Sequence, residues 1–179
     1  MKEEKSLKKY LRKAKTFGAS WSKVIHPRSV VTEEWVRLKC QYGCGSFGTC
    51  LTCPPFSPTP EYTRKVLDCY SRAIILVWNI PPDYKERNLR RNMRRQMAAL
   101  EREMFLDGHY KAFAMTCGPC NLCRSCDLTR PCKFEEAARP SMEACGIDVY
   151  GTLANAGYGL KVVQSPGETC HFCGLILVD

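Results

Sequence analysis

Arg72-Ala-Ile-Ile-Leu-Val-Trp-Asn79 is a continuous apolar run of strand length, stopped by Pro81-Pro82-Asp83. Such a run predicts a central strand buried on both faces. Leu89, Met93, Met97, Leu100 and Met104 follow at helical spacing and stripe one face of a helix predicted over 84–107. Asp83 with Glu86 makes a capping box at its start, and Gly108 is a C-terminal cap. Residues 110–115 predict the next strand. Strand, long helix, strand is a βαβ unit, which implies a parallel pair with a right-handed crossover. The predicted fold class is therefore α/β: a small mixed sheet with a βαβ unit and flanking helices.

Working outward, residues 1–18 read as a basic amphipathic helix, with Leu7, Tyr10, Leu11 and Ala14 on one face and Lys5, Lys8, Lys9, Lys13 and Lys15 in solvent. Residues 19–179 read as one α/β domain. Within it, 19–25 predict a strand, and Thr32 caps a short helix leading to Cys40. Thr59-Pro60-Glu61 opens a helix to about Cys69. A terminal hairpin is predicted, with arms at 158–164 and 172–178. On the long helix, Arg87, Arg90, Arg91, Arg94, Arg95 and Arg102 read as a solvated face opposite the Leu/Met stripe, or as a docking surface for an acidic partner or a phosphate backbone.

Two loops carry the chemistry. In the second, 117–132, Cys117, Cys120, Cys123 and Cys126 stand at three-residue steps and Cys132 closes the ladder. Fused C-x2-C-x2-C is iron–sulfur spacing, whereas structural zinc sites separate two C-x2-C knuckles. Cys120, Cys123, Cys126 and Cys132 form a self-contained ligand set, with Cys117 as a further candidate. In the alternative set, Cys117, Cys120 and Cys123 bind with a remote fourth cysteine. The first loop, 40–55, offers Cys40, Cys44, Cys50 and Cys53 among glycines and prolines that let backbone wrap closely around a centre. Its spacing is acceptable for zinc as well. Cys69 reads as a core thiol, and Cys145 as a core thiol or else a ligand or reactive thiol. Cys170 and Cys173 read as core or turn residues, or as an accessory pair. The ladder begins just after a strand, at the end of a sheet where α/β proteins place ligands.

The bulk numbers narrow the class. The chain has 179 residues, thirteen cysteines and a net charge of +9. No apolar signal segment and no membrane-length apolar stretch is expected. The odd cysteine count and the absence of a leader argue for metal or redox use in the cytoplasm rather than for disulfides. There is no Walker loop, HExxH or hydrolase elbow.

Three motifs together are distinctive: Cys50-x2-Cys53-Pro54-Pro55, the set Cys120, Cys123, Cys126 and Cys132, and Arg139-Pro-Ser-Met-Glu-Ala-Cys-Gly-Ile-Asp-Val149. Over about residues 20–179 the chain resembles a cysteine-rich family of predicted metal-binding proteins from anaerobic bacteria and archaea. The resemblance implies a cytosolic metalloprotein of iron–sulfur type and no particular activity. Lys133-Phe134 stands where that family has a basic Arg-His-Pro, so no role for that histidine transfers. Cys117, Cys170 and Cys173 lie outside the shared pattern.

The expectation is a cytoplasmic protein holding one or two [4Fe–4S] clusters and passing electrons to an acidic carrier or redox enzyme. One alternative is a cluster enzyme with an open iron acting as Lewis acid or in sulfur transfer. Another is a zinc module binding nucleic acid.

Overall fold

The computed structural model describes residues 2–82 and 86–179. The Asp83/Glu86 capping box falls outside the described residues, as do the side chains of Lys5 and Arg87. The elements are α1 (Lys2–Thr16), β1 (Trp21–Ile25), β2 (Val31–Thr32), α2 (Glu34–Gly43), α3 (Pro60–Leu67), β3 (Ala73–Ile80), α4 (Glu86–Leu106), β4 (Phe113–Met115), β5 (Ile147–Asp148), α5 (Val149–Ala156) and β6 (Cys170–Leu177).

The fold is mixed α/β. The main sheet has the order β1-β3-β6-β4, and β2 pairs with β5 in a small second sheet. β3 is buried on both faces, as its apolar run requires. Ile74, Leu76, Trp78 and Ile80 meet Leu7, Tyr10 and Ala14 of α1 and the Met93, Met97, Leu100 and Met104 stripe of α4. Ala73, Ile75 and Val77 meet Met142, Cys145, Ile147 and Leu153 on the other face.

Two expectations change here. β3 and β4 flank the long helix and run parallel, but they are not neighbours. β6 lies between them, antiparallel to both. The predicted terminal hairpin does not form either, because residues 158–169 take no strand. The last strand instead enters the middle of the sheet, where its Leu175, Ile176 and Leu177 are fully buried. Pairing with a 158–164 arm alone would leave that apolar strand at an edge, whereas β3 and β4 bury it from both sides. Gly174 permits the close packing there: a Cβ at this position would lie 2.4 Å from Met97 Sδ. Two smaller differences concern single residues. Glu33, not Thr32, occupies the position before α2, and Thr32 lies in β2. Cys69 is exposed rather than core. Among the described residues, no helix is long and apolar enough to cross a membrane.

β4 leads straight into the ladder loop, whose neck is closed by backbone bonds. Thr116 N donates to Pro140 O at 2.8 Å and Met142 N to Thr116 O at 2.9 Å. Arg139 then forks onto Glu101 of α4, at 2.8 Å (Nε to Oε2) and 2.7 Å (Nη2 to Oε1). Both side chains are nearly buried, at 17% and 11% exposure. Breaking a buried pair from one side leaves an uncompensated charge. Glu101→Gln is therefore expected to destabilise the protein by about 3–5 kcal/mol in urea unfolding; an unchanged midpoint contradicts the neck assignment.

Candidate metal centre

The ladder loop is shaped from below by the long helix. Arg94 is fully buried. Its Nη2 donates to the carbonyls of Cys117, Gly118 and Pro119, each at 2.7 Å. Its Nη1 donates to Arg139 O at 3.2 Å and to the Thr116 hydroxyl. Arg91 donates to the carbonyl of Leu122. Arg90 lies over the Phe172 ring, and its Nη1 would sit 3.0 Å from any Cβ on Gly118, which has φ +57°. The arginine row is thus not simply a solvated face. Arg94 and Arg91 donate to carbonyls of the ladder loop, whereas helical spacing alone puts them on the polar side. Arg95 and Arg102 stay exposed.

The first loop has a matching clamp. Arg37 of α2 donates through Nη1 to the Ser57 hydroxyl at 3.0 Å, to Pro58 O at 3.1 Å and to Ala144 O at 2.6 Å. Cys40 lies within α2, so helix persists further into this loop than its glycines suggest. The Cys50-x2-Cys53 turn is closed by Cys53 N donating to Cys50 O at 2.9 Å, and Gly48 N donates to Pro54 O at 2.8 Å.

These clamps bring the two loops together. Cys50, from the first loop, shares a cavity of about 510 Å³ with Cys120, Cys123, Cys126 and Cys132. Hydrogen bonds from the Cys120 and Cys53 thiols lower the Cys50 thiol from its ordinary range. The same hydrogen bond with Cys50, together with burial, pushes Cys120 up. Cys40, Cys44 and Cys53 line a neighbouring cavity of about 390 Å³ with Cys173, Glu143 and His171. Burial raises Cys40, and the nearby Cys44 and Glu143 charges add to the effect. Cys117 faces neither cavity. It is buried in the core beneath the ladder, and burial raises its thiol. Cys145 and Cys173 are buried too, and burial pushes each up to about 12. Cys145 is a core thiol, as read from the sequence.

Sequence reasoning missed Arg37, Arg94 and Glu143. Burial raises the Glu143 carboxyl. Hydrogen bonds from its own backbone N–H, the Ser141 hydroxyl and the Gly118 N–H act the other way, and its Oε2 is buried with no hydrogen-bond partner. Its position inside the 139–149 motif was the available signal.

The donors fit a metal group bound through sulfur. All thirteen cysteines are free. Soft thiolates select zinc, copper(I) or iron–sulfur cores. Among the described residues, no three His, Cys, Asp or Glu side chains are gathered for a single metal ion.

Arg94→Met is expected to lower metal affinity at the ladder about 10–100-fold, as loss of a ligand-supporting partner does. Arg94→Lys should not restore it, since an ammonium lacks the planar fork. A chelator competition showing wild-type retention in both variants contradicts this role.

The profile of a family described as predicted metal-binding protein (DUF2284) matches residues 23–178. No curated protein and no solved structure matches the chain.

Proposed function

This chain belongs to the DUF2284 family of predicted metal-binding proteins, and we propose that the metal it binds is iron, as [4Fe–4S] clusters used for electron transfer. The observation that carries the reading is the ladder cavity: five thiols from two loops around about 510 Å³. A single zinc ion takes four ligands at ~2.3 Å and needs far less room. A cubane spreads its thiolates over separate irons.

Under this reading Cys120, Cys123, Cys126 and Cys132 hold one cluster, with Cys50 beside them. Cys40, Cys44 and Cys53, next to Cys50 in the first loop, face the second. A bound cubane supplies one-electron redox chemistry. The chain's own residues set its surroundings. Arg94 fixes the ladder backbone and places a buried cation beneath thiolates that would otherwise repel one another. Buried Leu122 keeps water from one side. Arg124, Arg130 and Lys133 are exposed on the ladder loop, a basic rim suited to an acidic electron carrier or redox enzyme. Thirteen free thiols suit a reducing, cytoplasmic setting. The nucleic-acid alternative is weakened because Arg91 and Arg94, two of its candidate phosphate contacts, are committed to loop carbonyls.

Protein purified without oxygen is expected to be brown, absorbing near ~400 nm, with about four or eight irons per chain. Cys123→Ser should lose one cluster's iron. Colourless protein carrying only zinc contradicts the proposal.

A further inference from the structure

We infer that the outer face of α1 and α4 is a docking surface for an anionic lipid membrane, on which exposed cations meet the headgroups and an apolar tip at the end of α4 enters the interface. The inference concerns the helical layer alone and does not depend on which metal the cysteines bind.

Both helices pack on the same face of the main sheet. Lys9 pairs with Asp107 at 2.6 Å, and Lys13 pairs with Glu103, so the two helices run antiparallel with their carboxylates in the seam between them. Glu101 is taken by Arg139 below. What remains toward solvent has one sign. Lys8, Arg12 and Lys15 stand at i, i+4 and i+7 on α1, and Arg95 and Arg102 at i and i+7 on α4, on the side away from the methionine stripe. All five are exposed. Among the described residues none of them makes an ion pair.

The second observation is apolar. Phe105, Leu106 and Tyr110 lie around the turn at Gly108 where α4 ends, and they are 56%, 67% and 76% exposed. Leu106 continues the stripe of Arg95 and Arg102, at i+11 and i+4 from them, so cations and an apolar side chain share one helix face. Single exposed apolar residues are ordinary, but a group of them beside polar residues marks an interaction surface. Stable attachment to a membrane surface takes two signals, insertion of apolar side chains and attraction of cations to anionic lipid. Tyrosine suits the headgroup level, where its ring is buried and its hydroxyl stays wet. A phosphate backbone would match the five cations equally well but leaves Leu106 in water, and that difference favours lipid.

The test is sedimentation of the full chain, as purified, with vesicles of phosphatidylcholine alone and of phosphatidylcholine with one quarter phosphatidylserine. The expected result is binding to the mixed vesicles only, weakening as salt is raised. Arg12→Ala and Lys15→Ala are each expected to weaken it about fivefold. Both positions are exposed, so the fold is retained and the variants report on the surface. Leu106→Glu is expected to weaken binding further at every salt concentration. In Leu106→Trp, the added emission is expected to be quenched by lipids brominated on their acyl chains, a readout of insertion that adsorption through charge alone does not give. Absence of binding to the mixed vesicles overturns the inference, and so does binding that none of these substitutions changes. Salt-sensitive binding to a short single-stranded DNA that survives Leu106→Glu, with no vesicle binding, assigns the face to nucleic acid instead and overturns it too.

Discussion

The buried guanidinium of Arg94 is the interaction on which the rest of the site depends. It is a cation with no exposure to solvent, and burying a charge is expensive unless it is hydrogen-bonded; its Nε has no partner, so Nη1 and Nη2 carry the compensation. Here the compensation is the backbone of the ladder itself: three successive carbonyls at 2.7 Å, with Thr116 and Arg139 at the neck. The dependence runs both ways. Without Arg94 those carbonyls turn inward unpaired, and without the loop the arginine is a buried charge. Because α4 is held to the sheet by Met93, Met97, Leu100 and Met104, the geometry of the core is passed directly to the cysteines.

The segment 139–146 joins this clamp to the second one. Its first residue accepts from Arg94 and forks onto Glu101, while its Ala144 carbonyl accepts from Arg37. Glu143, between them, acts electrostatically on the Cys40, Cys117, Cys145 and Cys173 thiols. One short turn therefore sets both loops at once. That explains why the Cys50-x2-Cys53 turn lies against Cys120, although the two are far apart in sequence.

Much of this was readable from the chain. The apolar run at 72–79, the helical stripe of methionines and the cap at Thr59 each encode one local structure, and β3, α4 and α3 follow from them. The cysteine spacing also located both loops. What was not readable depended on long-range pairing. Cys170 to Leu177 could have been a hairpin arm or a central strand, and only the burial available between β3 and β4 decides it. Arg94 sits at a helical position that periodicity assigns to solvent, since its partners are carbonyls, which leave no mark in a sequence. The grouping of Cys50 with the ladder was hidden for the same reason: spacing reports neighbours along the chain, not across two loops.

The central claim is that thiols from both loops surround one iron-containing centre. Anomalous diffraction at the iron edge, from crystals grown without oxygen, tests it most directly. The account predicts a compact group of iron scatterers inside the cavity bounded by Cys50, Cys120, Cys123, Cys126 and Cys132. Anomalous signal at the zinc edge alone, or iron found away from that cavity, contradicts it.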